Sequence, residues 1–91
     1  MSKEFFHHLY HVIDEYNKYR SPEVTAKIES AGIDYIEILF KGTFCYTCGF
    51  YDYFEDFVIE ARDSGILLSI EKIVEIDDGA IVRFKVEGWE V

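Results

Sequence analysis

The apolar residues of this chain recur with two different periods, and the points where one gives way to the other constrain the fold more than any other feature. Phe5, Leu9, Val12, Tyr16 and Tyr19 stand three or four residues apart, with Phe6 and Ile13 widening the stripe. That is the repeat of one helix face and predicts a helix over residues 3–20. His7, His11, Asp14 and Lys18 fall on its opposite side. From Ile36 through Ile38 to Phe40 the spacing drops to two, the period of a strand that buries one face. The same alternation groups Leu68, Ile70, Val74 and Ile76, and then Ala80, Val82, Phe84 and Val86, around the turn residues Asp77-Asp78-Gly79. Glu71 and Glu75 are expected opposite Arg83 and Lys85 on the solvated side of that hairpin.

Local stop and start signals fill in the remainder. Ser21-Pro22-Glu23 supplies a capping hydroxyl, a proline suited to a first helical position and an acid at the positive dipole end, which predicts a second helix over residues 22–32. Gly32 would end it, with Ile33 folding back toward Ile28 as the apolar contact of a Schellman turn. A strand over residues 33–40, a Lys41-Gly42 turn and a return strand over residues 43–48 follow. Asp52 with Glu55 three residues on marks the start of a helix over residues 53–64, stopped at Gly65, with Phe54, Phe57, Val58 and Ala61 facing inward.

The expected order is ααββαββ in one domain over residues 1–91, with the last six elements resembling a duplicated αββ unit. The fold class is α+β: two layers, a four-stranded and mainly antiparallel sheet with helices on one face.

Composition narrows the function classes. Eighteen carboxylates against nine Lys and Arg give a formal charge of −9, and the basic residues are scattered singly from Lys3 to Lys85. A surface of that sign repels phosphate backbones and anionic headgroups, so neither nucleic acid nor membrane is expected as a partner. No apolar run approaches the ~20 residues of a membrane span, and the opening residues lack a signal-peptide core, so a cytoplasmic protein is expected. Glutamine is absent and Asn17 is the single asparagine, beside eleven Glu and eleven Ile; this thermophile-like composition resembles hyperthermophile proteomes. With 18% aromatic residues, a 91-residue monomer is expected to leave some aromatic surface for an interface. A homo-oligomer, most simply a homodimer, follows.

One short motif has a recognised chemical use. Cys45 and Cys48 flank Tyr46-Thr47 and precede Gly49, the spacing of half a zinc knuckle or of a dithiol. On a continuing strand the two thiols would point to opposite faces and simply pack. The order strand, Cys-x-x-Cys, helix resembles thioredoxin-like domains, whose third strand is preceded by a cis-proline. Pro22 is the only proline here, and Asp52, Glu55 and Asp56 near the thiols would raise their pKa rather than activate them.

A complete zinc set would take Cys45, Cys48, His7 and His11, the two histidines lying one helical turn apart. His7, His11 and Asp14 or Glu15 form a weaker alternative set. No Gly-rich phosphate loop or nucleophile elbow is present, and the pairs Asp52/Asp56 and Glu55/Asp56 read as dipole complements at a helix start. The expectation is therefore a non-enzymatic protein-interaction or self-association module without a cofactor, its surface formed by residues 44–57 and the first helix. The alternative is a zinc-binding or dithiol protein built on Cys45 and Cys48.

Overall fold

A computed structural model describes residues 2–20, 23–42 and 50–90, Phe50 by its backbone alone. Helix α1 (Lys3–Arg20) is followed by strands β1 (Val24–Ala31) and β2 (Tyr35–Gly42), helix α2 (Phe50–Asp63), and strands β3 (Ile66–Ile76) and β4 (Gly79–Trp89). All pairings are antiparallel and the sheet order is β1-β2-β4-β3. The expected α+β class, with four strands and helices on one face, is what the chain adopts.

The element order differs at one place. Residues 22–32 were expected to be helical, yet Val24–Ala31 is a strand paired with β2 from Val24↔Gly42 to Ala31↔Ile36. The physical reason lies in the side chains: Val24, Ala26 and Ile28 alternate inward while Thr25 and Lys27 point out, and β-branched Val, Thr and Ile suit a pleated surface. Gly32 and Ile33 consequently form a hairpin turn instead of a helix stop. Ile33 is 92% exposed and makes no Schellman contact with Ile28, while the Gly32 amide donates to the Tyr35 carbonyl at 2.9 Å. The element order α1-β1-β2 is followed by α2-β3-β4, with β2 and β4 antiparallel neighbours at the centre of the sheet and β1 and β3 at its edges. The expected return strand over residues 43–48 lies outside the described residues.

One core lies between the helices and the inner face of the sheet. Phe5, Leu9, Val12, Ile13 and Tyr16 from α1 meet Phe54, Phe57 and Ala61 from α2 above Val24, Ile36, Ile38, Phe40, Val82 and Phe84. Phe40 sits at its centre, 4.9–6.2 Å from the rings of Tyr16, Phe54, Phe57 and Phe84, at the spacings where aromatic pairs attract beyond their area burial. Truncating such a ring to alanine costs about 3–5 kcal/mol. The Tyr16 hydroxyl donates to the Tyr53 carbonyl at 2.9 Å, and burial pushes its pKa well above the usual phenol value. Tyr19, expected in the apolar stripe, is instead 75% exposed beyond the end of the core.

Helix α2 begins at Phe50, so Asp52, expected as its cap, lies within its first turn. Ser2 Oγ accepts from the Phe5 amide at 3.2 Å, satisfying one of the unpaired donors of α1. Gly65 ends α2 with φ 86°, a left-handed conformation that glycine adopts without Cβ strain.

A bulge in β3 changes which residues face the core. The register slips between Ile70 and Lys72, leaving Glu71 as the extra residue. Ile70 and Ile73 therefore both pack inward, and Val74, expected on the same face as Leu68 and Ile70, points outward. The slip also sets Lys72, not Glu71, opposite Arg83, so the expected Glu71 and Glu75 pairs with Arg83 and Lys85 are replaced by other partners.

Candidate functional site

Strands β1 and β3 are the two edges of the sheet, β1 beside α1 and β3 beside α2, but the two edges are treated differently. At β1, Asn17 reaches down from α1. Its Oδ1 accepts from the Ala26 amide at 2.7 Å and its Nδ2 donates to the Ala26 carbonyl at 3.0 Å. A side-chain amide thus substitutes for a neighbouring strand and blocks further pairing at that point.

The β3 edge carries no such cap. Among the described residues, neither a strand nor a side chain hydrogen-bonds the outer edge between Ile66 and Glu75. The α2 face beside it is partly apolar. Tyr51, Glu55, Val58, Ile59 and Arg62 line a groove of about 370 Å³ whose floor is Leu68, Ser69 and Ile70. Tyr51 and Ile59 are 48% and 45% exposed on its wall. An unpaired edge beside an apolar wall is the arrangement to which a further strand adds: backbone groups supply the hydrogen bonds and the wall receives alternate side chains.

The outer face of the sheet is a second feature, uncovered by the helices. Leu39, Ile81 and Val74 are in register across β2, β4 and β3, with Lys27 beside Leu39 on β1. The adjacent row runs Ser30, Glu37, Arg83, Lys72. Arg83 Nε and Nη2 both lie 3.1 Å from Glu37 Oε2, and the Ser30 hydroxyl donates to Glu37 Oε1. The Ser30 hydrogen bond, followed by Arg83, holds the Glu37 carboxyl below the usual carboxylate range. The Arg83 guanidinium also lies 4.1 Å from the centre of the Tyr35 ring. Gly32 also lies against that ring, and an added Cβ there would have to push the ring aside.

His7 and His11 stand exposed on the solvent side of α1. Cys45 and Cys48 lie outside the described residues. Among the described residues no three His, Cys, Asp or Glu side chains converge on one point. Of residues 44–57, expected to form an interaction surface, Phe54 and Phe57 are core residues with 0% exposure, whereas Tyr51 is on the surface. Phe54 and Phe57 turn inward because they lie on the α2 stripe facing the sheet. Asn17 and Ile59 escaped notice in the sequence, although a lone asparagine beside an inward stripe is a signal for an edge cap.

No family model matches the chain, and comparisons with curated proteins and with solved structures found no similar protein.

Proposed function

We propose that this protein is a non-enzymatic self-association module that pairs with a second copy of itself through β3. The observation that supports this reading is the contrast between its edges: β1 is closed by Asn17 at Ala26, while among the described residues β3 is uncapped beside a groove in which Tyr51, Val58 and Ile59 stand with Glu55 and Arg62. Proteins generally blunt long exposed edges because these template intermolecular pairing. An uncapped edge supported by an apolar wall is therefore best explained by a partner strand.

A twofold partner adds its own β3 antiparallel and continues the sheet. Centring the pair at Ser69 places Leu68 of one copy opposite Ile70 of the other, since opposed residues share a face. Both point toward the helical layer, where Val58 and Ile59 of the two α2 helices close over them. The interface is isologous and needs no third copy.

The test is sedimentation velocity over a range of concentrations on the protein and on Ile59→Glu. The parent protein is expected to sediment as a reversible dimer. Burying a carboxylate against an apolar wall is expected to raise the dissociation constant at least ~10-fold without loss of fold, because Ile59 is half exposed in the single chain. A protein that sediments as a monomer throughout, or an Ile59→Glu dimer as tight as the parent, would overturn the proposal.

A further inference from the structure

The chain has three arginines, and two of them are satisfied in the same way. Arg20 meets the Asp56 carboxylate and lies 5.5 Å from the centre of the Tyr53 ring. Arg83 pairs with Glu37 at 3.1 Å and lies 4.1 Å from the centre of the Tyr35 ring. Each guanidinium thus has a carboxylate for its N–H groups and an aromatic ring for its face. Arg62 has neither among the described residues. It stands exposed in the groove beside β3, and that groove also holds one carboxylate, Glu55, and one tyrosine, Tyr51. Tyr51, Glu55, Val58 and Arg62 recur at intervals of four, three and four residues, which puts them on one stripe of α2. Within one chain Arg62 stands about two turns beyond Glu55 and about three beyond Tyr51, so it pairs with neither.

We infer, resting on the pairing of two β3 strands proposed above, that Arg62 is satisfied across that seam by Glu55 and Tyr51 of the second copy, and that these residues set its specificity for its own kind. Four strands occupy roughly 19 Å and carry two helices about 10 Å apart. Continuing the sheet through β3 keeps that spacing and makes the two α2 helices neighbours. The twofold sets them antiparallel, so Arg62 of each copy lies beside the half of the other helix that carries Tyr51 and Glu55. Two guanidinium–carboxylate–ring sets result, with Val58 of both copies between them. The charges choose the occupant. The stripe holds one charge of each sign, displaced along the helix, so it complements a reversed copy of itself, whereas a parallel copy would set like charge against like. By the same helical spacing Asp52, Asp56, Glu60 and Asp63 fall on other sides of α2. On β3 the neighbouring charges are Glu71 and Lys72, adjacent and of opposite sign, which offset each other.

The test is a charge-reversal exchange read by sedimentation velocity on the full chain. Four samples are compared at the same total concentration: the parent, Glu55→Arg, Arg62→Glu, and the two variants mixed in equal amounts, each checked for fold by circular dichroism. In either variant alone both sets hold like charges, so self-association is expected to weaken at least ~10-fold. In the mixture the two reversed positions face each other, and the native Glu55 of one variant faces the native Arg62 of the other. The weight-average sedimentation coefficient is therefore expected to rise above that of either variant alone, toward the parent's. Variants that associate as tightly as the parent, or a mixture that sediments as the average of its two separate samples, would overturn this inference and leave the β3 pairing standing. A parent that stays monomeric at every concentration would overturn both.

Discussion

The cap at Ala26 yields a quantitative prediction. Asn17→Ala removes two hydrogen bonds, of 2.7 and 3.0 Å, from a half-buried strand edge. Each such bond contributes about 0.5–1.5 kcal/mol net, so the loss lies at about 1–3 kcal/mol, toward the lower end where water reaches the exposed groups. For a domain of this size that lowers Tm by roughly 4–8 °C per kcal/mol. Asn17→Asp is the sharper variant. One carboxylate oxygen still accepts from the Ala26 amide, but the other faces the Ala26 carbonyl with no proton to share. The introduced carboxyl should therefore have a higher pKa in the folded state than in the unfolded chain, so the variant should lose stability as pH rises and recover it on acidification. Urea unfolding followed by circular dichroism, at one protein concentration and at several pH values, measures both. A loss below about 0.5 kcal/mol for Asn17→Ala, the range of an ordinary surface change, or an Asn17→Asp variant whose stability relative to the parent ignores pH, would refute the reasoning.

Three further outcomes follow from the same structure. Tyr16 keeps a neutral phenol in the core while an unfolded tyrosine ionises near pH 10, so its contribution is complete below that value and is lost as pH climbs above it. Tyr16→Phe should cost about 1 kcal/mol at neutral pH and soften the alkaline unfolding transition. Glu37, with its pKa lowered chiefly by Ser30, contributes stability above the unfolded carboxylate range that disappears as pH falls through the folded value. Ser30→Ala should move the Glu37 carboxyl resonance to titrate at higher pH in an NMR titration, toward the ordinary range. Under the self-association reading, a chelator leaves the sedimentation profile unchanged, and so does Cys45→Ser/Cys48→Ser. A zinc-dependent fold would instead unfold on chelation, and native mass spectrometry before and after treatment separates the two.

How much was legible in the sequence depended on whether a signal was local or required a partner. The first helix, the Gly65 stop and the Asp77-Asp78-Gly79 hairpin rest on caps and periodicities contained within a few residues, and the structure keeps them. The misreading at residues 22–32 pitted a cap signal against the alternation of Val24, Ala26 and Ile28. Tertiary pairing with β2, and Asn17 reaching Ala26 across 9 positions, decided in favour of the strand. The Glu71 bulge left one trace, the break in alternation at Lys72-Ile73, but only the register against β4 shows that one residue is extra. Phe54 and Phe57, which helical spacing places on the inward face, are core residues, so they drop out of the surface expected of residues 44–57. The candidate site was legible only in part. Tyr51 lay within the segment expected to interact, but the difference between the two sheet edges emerges only once Asn17 is seen to reach Ala26 in the folded chain.

The most direct test of self-association through β3 is amide hydrogen exchange of the parent protein at a concentration well below and one well above its dissociation constant. The account predicts that amides within residues 66–75 slow markedly on association, while Ala26, already held by Asn17, exchanges at the same rate in both samples. Protection that ignores concentration, or that increases along β1 while β3 stays unchanged, would contradict it.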